Sequence, residues 1–290
     1  MKDIAVVYKH SALESYSAKH LRRHRELNPE LGERMQTAHD DHTRALDALR
    51  GVLDDLKLDA AYFERDSLRQ NLDGFHLVVS LGGDGTFINA SHFIEKTLLL
   101  GVNSSPENSV GHYCRFFVKG ARHEALLRKA LEAFFTGKKK NVIPEARLLR
   151  MQVQVQGQSA AFPVLNDVLF CEKDPAATSR YTLRTGGRNH HQKSSGLWVT
   201  TPTGSTAAYS SAGGKAFKQK ELRFIVRELY SDDTKPAARK GVIKPGSSLK
   251  IVSSMMHGAL YLDGSHHKIP VALGDHIQIA VHPKPLRAIY

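Results

Sequence analysis

Apolar residues come in two rhythms along this chain, and the change between them falls near its middle. In the first half, short continuous apolar runs at Ile4 to Tyr8, Ala60 to Phe63, His76 to Val79 and Leu98 to Val102 read as buried strands. Between them lie stretches of helical period. Pro29 to Leu56 carries Leu46, Leu49, Leu53 and Leu56 on one face, a helix is predicted from about Phe87, and another covers about Arg122 to Thr136. Strands separated by helices predict an α/β domain, Rossmann-like, with a parallel sheet covered on both faces. Beyond it the period becomes two. Met151, Val153 and Val155 alternate with Gln152, Gln154 and Gln156, and further strands are expected at Phe162 to Phe170, Tyr181 to Arg184, Leu197 to Thr200, Leu222 to Arg227, Leu249 to Ser253, Ala259 to Leu262 and Ile277 to Val281. The second half is therefore expected to be a mainly antiparallel β domain. The boundary is drawn around the Lys138 to Lys140 run and Pro144, giving domains 1–143 and 144–290.

Composition narrows the class. With 290 residues and 41% hydrophobic content, the chain has enough material for real cores. None of the apolar runs approaches the length that spans a bilayer, so no membrane partner is expected. The first strand follows the opening methionine almost at once, without the apolar stretch of a secretory signal, and Cys114 and Cys171 are the only cysteines. A cytoplasmic, reducing location is the expectation. A formal charge of +12 favours anionic partners. The basic run at Lys138 to Lys140 lacks interleaved aromatics, so nucleic acid is not among the expected partners.

The chemistry lies in two loops. Ser80-Leu81-Gly82-Gly83-Asp84-Gly85-Thr86 follows a buried strand directly. Three glycines let backbone amides approach phosphate, and Asp84 is a carboxylate that a simple turn does not need. In parallel sheets the ligand sits beyond the carboxyl ends of the strands, where this loop falls. The second loop, Thr201-Pro202-Thr203-Gly204-Ser205-Thr206-Ala207, follows another strand and offers hydroxyls at the expected start of a helix of small residues. His190-His191 and His266-His267 are adjacent pairs that point apart on a strand or loop, with no carboxylate partner in the sequence, so no metal site made by protein alone is expected.

The two loops in this order, with Leu165-Asn166-Asp167 between them and Leu262-Asp263-Gly264 and Gly274-Asp275 after, resemble the NAD kinase family. The likeness runs from about residue 76 to 282. Two segments depart from the common bacterial pattern: Ser194-Ser195-Gly196-Leu197 in place of Gly-Asp-Gly-Leu, and Val102 to Cys114 in place of Gly-X-Leu-Gly-Phe-Leu. Both are similar to the divergent mitochondrial-type branch, as is Ile225-Val226-Arg227-Glu228. Where the family usually has tyrosine this chain has Ala208, with Tyr209 one place later.

The resemblance implies transfer of the γ-phosphate of ATP to the 2′-hydroxyl of the adenosine ribose of NAD, with magnesium on the donor and a dimer or tetramer as the assembly. Gly82, Gly83, Gly85 and Thr86 would cradle phosphate. Asp84 would act as base on the attacking hydroxyl, with magnesium binding as its alternative task. Asn166 and Asp167 would hold the ribose and adenine, Thr203, Thr206 and Ala207 would line the adenosine pocket, and Tyr209 would also contact NAD. Ser195, replacing an aspartate near the nicotinamide end, is expected to weaken any preference for the positively charged oxidised ring. Candidate donor cations are Arg180, Arg184, Arg188 and Lys193, read as lying in polar loops. Two rival readings share part of these motifs: a lipid or sugar kinase with the same glycine loop, and a non-catalytic dinucleotide-binding module.

Overall fold

The computed structural model describes residues 3–137, 144–157, 162–230 and 238–289. Lys138 to Lys140 and most of the expected boundary lie outside them. The chain divides into two compact units, Met1–Arg147 with Leu286–Tyr290, and Leu148–Pro285. The division thus falls a few residues beyond the expected 143/144 boundary, and the last strand returns to the first unit, a long-range pairing that no local pattern encodes.

The first unit is built on a seven-stranded sheet. Its strands run in the order Ala60–Glu64, Ile4–Tyr8, Leu77–Gly82, Leu98–Asn103, Leu286–Ile289 and Ala146–Leu148, with Phe116–Phe117 also beside Leu98–Asn103. The first five are joined by parallel pairings. Strands Leu77–Gly82 and Leu98–Asn103 are buried at every position, as their unbroken apolar runs require. The helix Pro29–Asp55 has proline in its first turn, and the Asn28 side chain accepts from the Leu31 amide at 3.1 Å. Its Ala45, Leu49, Val52 and Leu53 pack on Ile4, Val6, Leu77, Val79 and Leu100, together with Leu127 and Leu131 of the helix Ala121–Thr136.

The second unit holds two six-stranded sheets with antiparallel pairings. One runs Arg188–Ser194, Ser179–Thr185, Ser248–Ser253, His276–Val281, Met151–Val155, Phe162–Val164; the other runs Lys240–Ile243, Leu222–Arg227, Gly196–Thr200, Asp167–Glu172, Gly258–Leu262, His267–Val271. Alternate residues from both, among them Val153, Phe170, Leu183, Leu197, Phe224, Ile251, Leu260 and Ile279, form one buried cluster.

Three expectations change. The segment Phe162 to Phe170 is not one strand: it breaks at Leu165-Asn166 and its halves enter different sheets. Arg180, Arg184, Arg188 and Lys193 are not in loops but at exposed positions of an antiparallel hairpin. That hairpin turns at Gly186 and Gly187, both with positive φ (56° and 75°), the backbone a tight two-residue connection requires. The helix expected from Phe87 begins at Asp84.

Candidate functional site

The earlier helix start changes how the first loop is built. Gly83 is the N-cap, Asp84 the first helical residue, and Gly85 and Thr86 complete the first turn. Two of the three glycines have close neighbours in the fold. A Cβ on Gly82 would lie 2.3 Å from Thr86 Oγ1, and one on Gly83 would lie 2.5 Å from Ser109 Oγ. Gly85 is different. It is exposed, and a Cβ there would meet nothing within 4 Å. Alanine would suit an exposed helical position better by about 1 kcal/mol, so packing gives no reason for the bare backbone at Gly85. Its open side leaves the start of the helix accessible to an anion.

Asp84 is half-buried, and its Oδ1 accepts the Tyr113 amide at 2.7 Å. That bond fixes the carboxylate from outside its own helix. The segment supplying it is the one that departs from the bacterial pattern, and it is tied down at several points. Asn103 Oδ1 accepts from the Ser105 amide at 3.1 Å, while its Nδ2 donates to the Ser109 carbonyl at 3.2 Å. The Ser104 amide donates to the Gly82 carbonyl at 3.2 Å. The Tyr113 ring stacks on Phe87, centroids 5.0 Å apart and planes 2° from parallel. Gly101 is obligatory, since a Cβ would stand 2.0 Å from the Tyr113 carbonyl oxygen. Cys114 is buried beside this carboxylate; burial first, and the Asp84 charge second, push its thiol up to about 12, so it stays protonated. Thr86 does not present its hydroxyl to solvent. The residue is 1% exposed, and its Oγ1 is buried without a hydrogen-bond partner among the described residues.

In the second unit, the Asn-Asp turn and the second loop are packed directly together. A Cβ on Gly204 would fall 2.3 Å from the Asn166 carbonyl oxygen, so only glycine lets the loop lie on that turn. The Thr201 amide and the Thr200 hydroxyl both donate to the Asn166 carbonyl, at 2.9 and 3.1 Å, and the Thr201 hydroxyl donates to the Leu165 carbonyl at 2.6 Å. The Ser205 hydroxyl donates to Pro202 O at 2.6 Å and accepts the Phe217 amide at 3.2 Å. Thr201 and Ser205 therefore build the turn. Thr203 is half-buried and also reaches the Leu165 carbonyl, at 3.3 Å; Thr206 and Ala207 are exposed. The helix expected here is only a 3-10 turn, Thr203–Thr206, followed by the four residues Ala208–Ser211, with no side-chain cap.

From the far side, Asp263 clasps the Asn-Asp turn. Its Oδ2 accepts the Leu165 amide at 2.8 Å, and its Oδ1 accepts the amides of Asn166 and Asp167 at 2.6 and 3.1 Å. The Asp263 amide in turn donates to the Asp167 carbonyl at 2.9 Å. Asp167 is 8% exposed, and burial, followed by the Asp263 charge, pushes its carboxyl up to about 7.

Two expected residues sit differently from an open pocket wall. Tyr209 is 4% exposed and belongs to a cluster with Phe217 and Ile225, packed by Trp198 and Ala212; its ring meets Phe217 edge-on at 6.2 Å. A Cβ on Gly214 would strike that ring at 2.2 Å. The tyrosine is thus a packing residue here, not an exposed platform for stacking a ligand. Ser195 is half-buried and pairs its amide with the Arg227 carbonyl at 3.1 Å. Its neighbour Ser194 is engaged with the Tyr181 hydroxyl at 3.0 Å and the Gly196 amide at 3.0 Å. Sequence reasoning assigned no task to Asp263, Asn103 or Tyr113. The Asp-Gly pair after a strand was the available signal for the first, because it marks a turn with a side chain free to bond neighbouring backbone.

Among the described residues no group of three or more His, Cys, Asp or Glu side chains stands together as a metal cage. A single carboxylate at the glycine loop fits a magnesium ion that arrives on phosphate oxygens and keeps most of its ligands from phosphate and water. No helix among the described residues is long and apolar enough to cross a membrane.

Residues 142–290 match the model of the ATP-NAD kinase C-terminal domain. A probable NADH kinase of Oryza sativa subsp. japonica is 32% identical over 274 residues, covering 86% of this chain and 81% of that protein. The NADH kinase of Arabidopsis thaliana is 28% identical over 278 residues, covering 87% and 84%. An NAD kinase of Pseudomonas paraeruginosa is 31% identical over 225 residues, covering 74% and 70%. The fold is also that of an NAD kinase from Archaeoglobus fulgidus solved in complex with ATP (TM-score 0.64, 19% identity, 99% of this chain and 93% of that one). Yeast NADH kinase, solved with NADH, has a TM-score of 0.63 at 14% identity, covering 99% and 83%.

Proposed function

The chain belongs to the NAD kinase family, and on that premise we propose that it transfers the γ-phosphoryl group of ATP to the 2′-hydroxyl of the adenosine ribose of NAD, forming NADP and ADP. The observation that carries the proposal is the pairing of a carboxylate at the mouth of a glycine turn with an exposed Gly85 that packing does not require.

Phosphoryl transfer asks the protein to position the reactants and neutralise charge. The start of the helix Asp84–Ser91, opened by Gly83 and Gly85, receives phosphate oxygens. Asp84, oriented through Oδ1 by the Tyr113 amide, uses its other oxygen to accept a hydrogen bond from the 2′-hydroxyl and to take its proton as the new P–O bond forms. A carboxylate is a weak base for an alcohol, so this help is concentrated in the transition state. Magnesium, when bound with ATP, offsets the negative charge of the phosphates. In the second unit the Asn166-Asp167 turn reads the acceptor ribose and adenine, with Thr203, Thr206 and Ala207 beside it; Asp167, protonated over part of the neutral range, can donate as well as accept.

A serine at 195 leaves no carboxylate to favour the oxidised nicotinamide ring, which supports use of NADH alongside NAD; two of the relatives are NADH kinases. We further infer a cytoplasmic location, in keeping with two unpaired cysteines, and a homodimer or homotetramer. The test is a coupled assay with an NADP-specific dehydrogenase, run with ATP and magnesium on NAD, and a parallel separation of NADPH from NADH. Turnover on NAD, with NADH used at comparable efficiency, is expected. Binding of dinucleotide without turnover would support the non-catalytic rival, and turnover on a lipid or sugar alone would support the other.

A further inference from the structure

The Leu165-Asn166-Asp167 turn is held by one side chain from outside it. Three consecutive amides converge on the Asp263 carboxylate at 2.6 to 3.1 Å, and the return bond from the Asp263 amide to the Asp167 carbonyl closes the contact into a two-way clasp. This is more than a turn needs. The aspartate adopts φ of +53°, a conformation that costs a residue with a Cβ free energy and is usually left to glycine. The Asp263 carboxylate is also placed beside a second, buried carboxyl, an arrangement that opposes ionisation of Asp167. Such strain and like-charge crowding gather where function requires them.

We propose that Asp263 is the positioning residue of the acceptor site, holding Asn166 and Asp167 in the one backbone arrangement that presents their side chains to the ribose and adenine. The proposal rests on the reading of the Asn-Asp turn given above. It deepens that reading, because it explains how two polar side chains on a bend between sheets keep a fixed aim. Once the strand Phe162–Val164 ends, the chain must cross to the other sheet at Asp167. At that crossing three successive amides, those of Leu165, Asn166 and Asp167, all donate to Asp263. On the opposite side Gly204, Thr200 and Thr201 close on the Asn166 carbonyl, so the turn is gripped on both its donor and its acceptor edges.

Asp263 also adds its charge to the effect of burial on the protonation of Asp167. Asp167 pairs with Thr200 of the strand Gly196–Thr200, and its carbonyl accepts the Asp263 amide just beyond the strand Gly258–Leu262; neither strand carries an acidic or basic side chain, and Tyr261 is their one titratable group. The charge facing Asp167 is that of Asp263. Neutralising Asp263 lets Asp167 ionise at lower pH, so the pH dependence of acceptor binding moves with a residue that does not itself touch the acceptor.

The experiment is Asp263→Asn, which keeps the shape but turns one acceptor into a donor facing N–H groups. Steady-state kinetics from about pH 5.5 to 9 are combined with hydrogen exchange of the three amides. The KM for NAD is expected to rise roughly tenfold or more while the KM for ATP stays within about twofold. The neutral-range inflection in the NAD KM is expected to shift to lower pH, and the amides of Leu165, Asn166 and Asp167 are expected to exchange faster. An unchanged KM for NAD with an unchanged pH profile overturns the proposal, as does an equal rise in both KM values. If the variant does not fold, the carboxyl carbon of Asp167 is titrated in the wild-type protein. A midpoint in the ordinary carboxylate range refutes the influence of Asp263, and a midpoint near neutrality upholds it only if Asp263→Glu, which keeps the charge but moves it by one methylene, shifts that midpoint and raises the KM for NAD while the KM for ATP stays within about twofold. A wild-type protein inactive on NAD but with slow amides and a neutral midpoint would mean that the kinase reading had failed and the clasp had not.

Discussion

The two loops look alike in composition and are used in opposite ways. In the glycine loop Gly82 and Gly83 face close neighbours, while Gly85 is open and Asp84 is tied to the Tyr113 amide through Oδ1. In the threonine-rich loop most of the apparent chemistry is spent on the loop itself: Thr201 and Ser205 hydroxyls bond backbone carbonyls and amides, and Gly204 exists so that Asn166 can lie against it. Only Thr206 and Ala207 are exposed there. A motif therefore contains two populations of residues, and an added Cβ or a removed hydroxyl separates them.

The largest effect is expected at Asp84. Asp84→Asn keeps an oxygen for the Tyr113 amide, so the melting temperature should hardly move, whereas turnover should fall by about 10²- to 10⁴-fold. Comparable loss of stability and activity would make Asp84 a structural residue and remove the contrast between the loops.

Asp167 carries the next effect, on stability. Its folded carboxyl titrates near 7 against a reference of 3.8, so the native state holds a proton that the unfolded chain releases. Stability from this group is complete below about pH 4 and is lost as pH rises towards 7, by about 4 kcal/mol at most. Asp167→Asn, which mimics the protonated form, should flatten this dependence in chemical denaturation at a series of pH values and leave the variant more stable than wild type at pH 8. It should also weaken NAD binding. An unchanged slope between pH 4 and 7 would show that the carboxyl is not perturbed.

Two alanine substitutions sharpen the distinction between glycines. Gly101→Ala should cost about 1–3 kcal/mol, since its Cβ would collide with a backbone oxygen. Gly85→Ala should be neutral or stabilise by up to about 1 kcal/mol, yet raise the KM for ATP about tenfold. Equal affinity for ATP in Gly85→Ala would mean that no phosphate approaches there. The smallest effect is expected at Tyr209: Tyr209→Leu should lower stability by about 1–2 kcal/mol through loss of ring packing, with the KM for NAD within about twofold. A large rise in that KM would restore the stacking role.

The elements most legible in sequence were those whose pattern is local. The apolar runs Ile4–Tyr8 and Leu98–Asn103, the leucine stripe of Pro29–Asp55 and the period-two alternation of Met151–Val155 each specify their structure from neighbouring residues alone. Less legible were features set by distant partners. The apolar continuity of Phe162 to Phe170 hides a sheet crossing because the group that breaks it, Asp263, lies almost a hundred residues away. Arg188–Ser194 reads as polar loop because its buried face uses Gln192 and Ser194 in place of apolar side chains. Tyr209 resembles a ligand contact by position, and its packing against Phe217 and Gly214 is legible only in the fold.

The central claim is a new phosphate monoester on one particular hydroxyl. The direct measurement is phosphorus NMR of the product formed from NAD, ATP and magnesium, with ADP quantified in the same sample. The expected result is one 2′-phosphate on the adenosine ribose for each ADP released, formed at least about 10²-fold more slowly with Asp84→Asn. ADP released without that ester, or an ester at any other position, would contradict it.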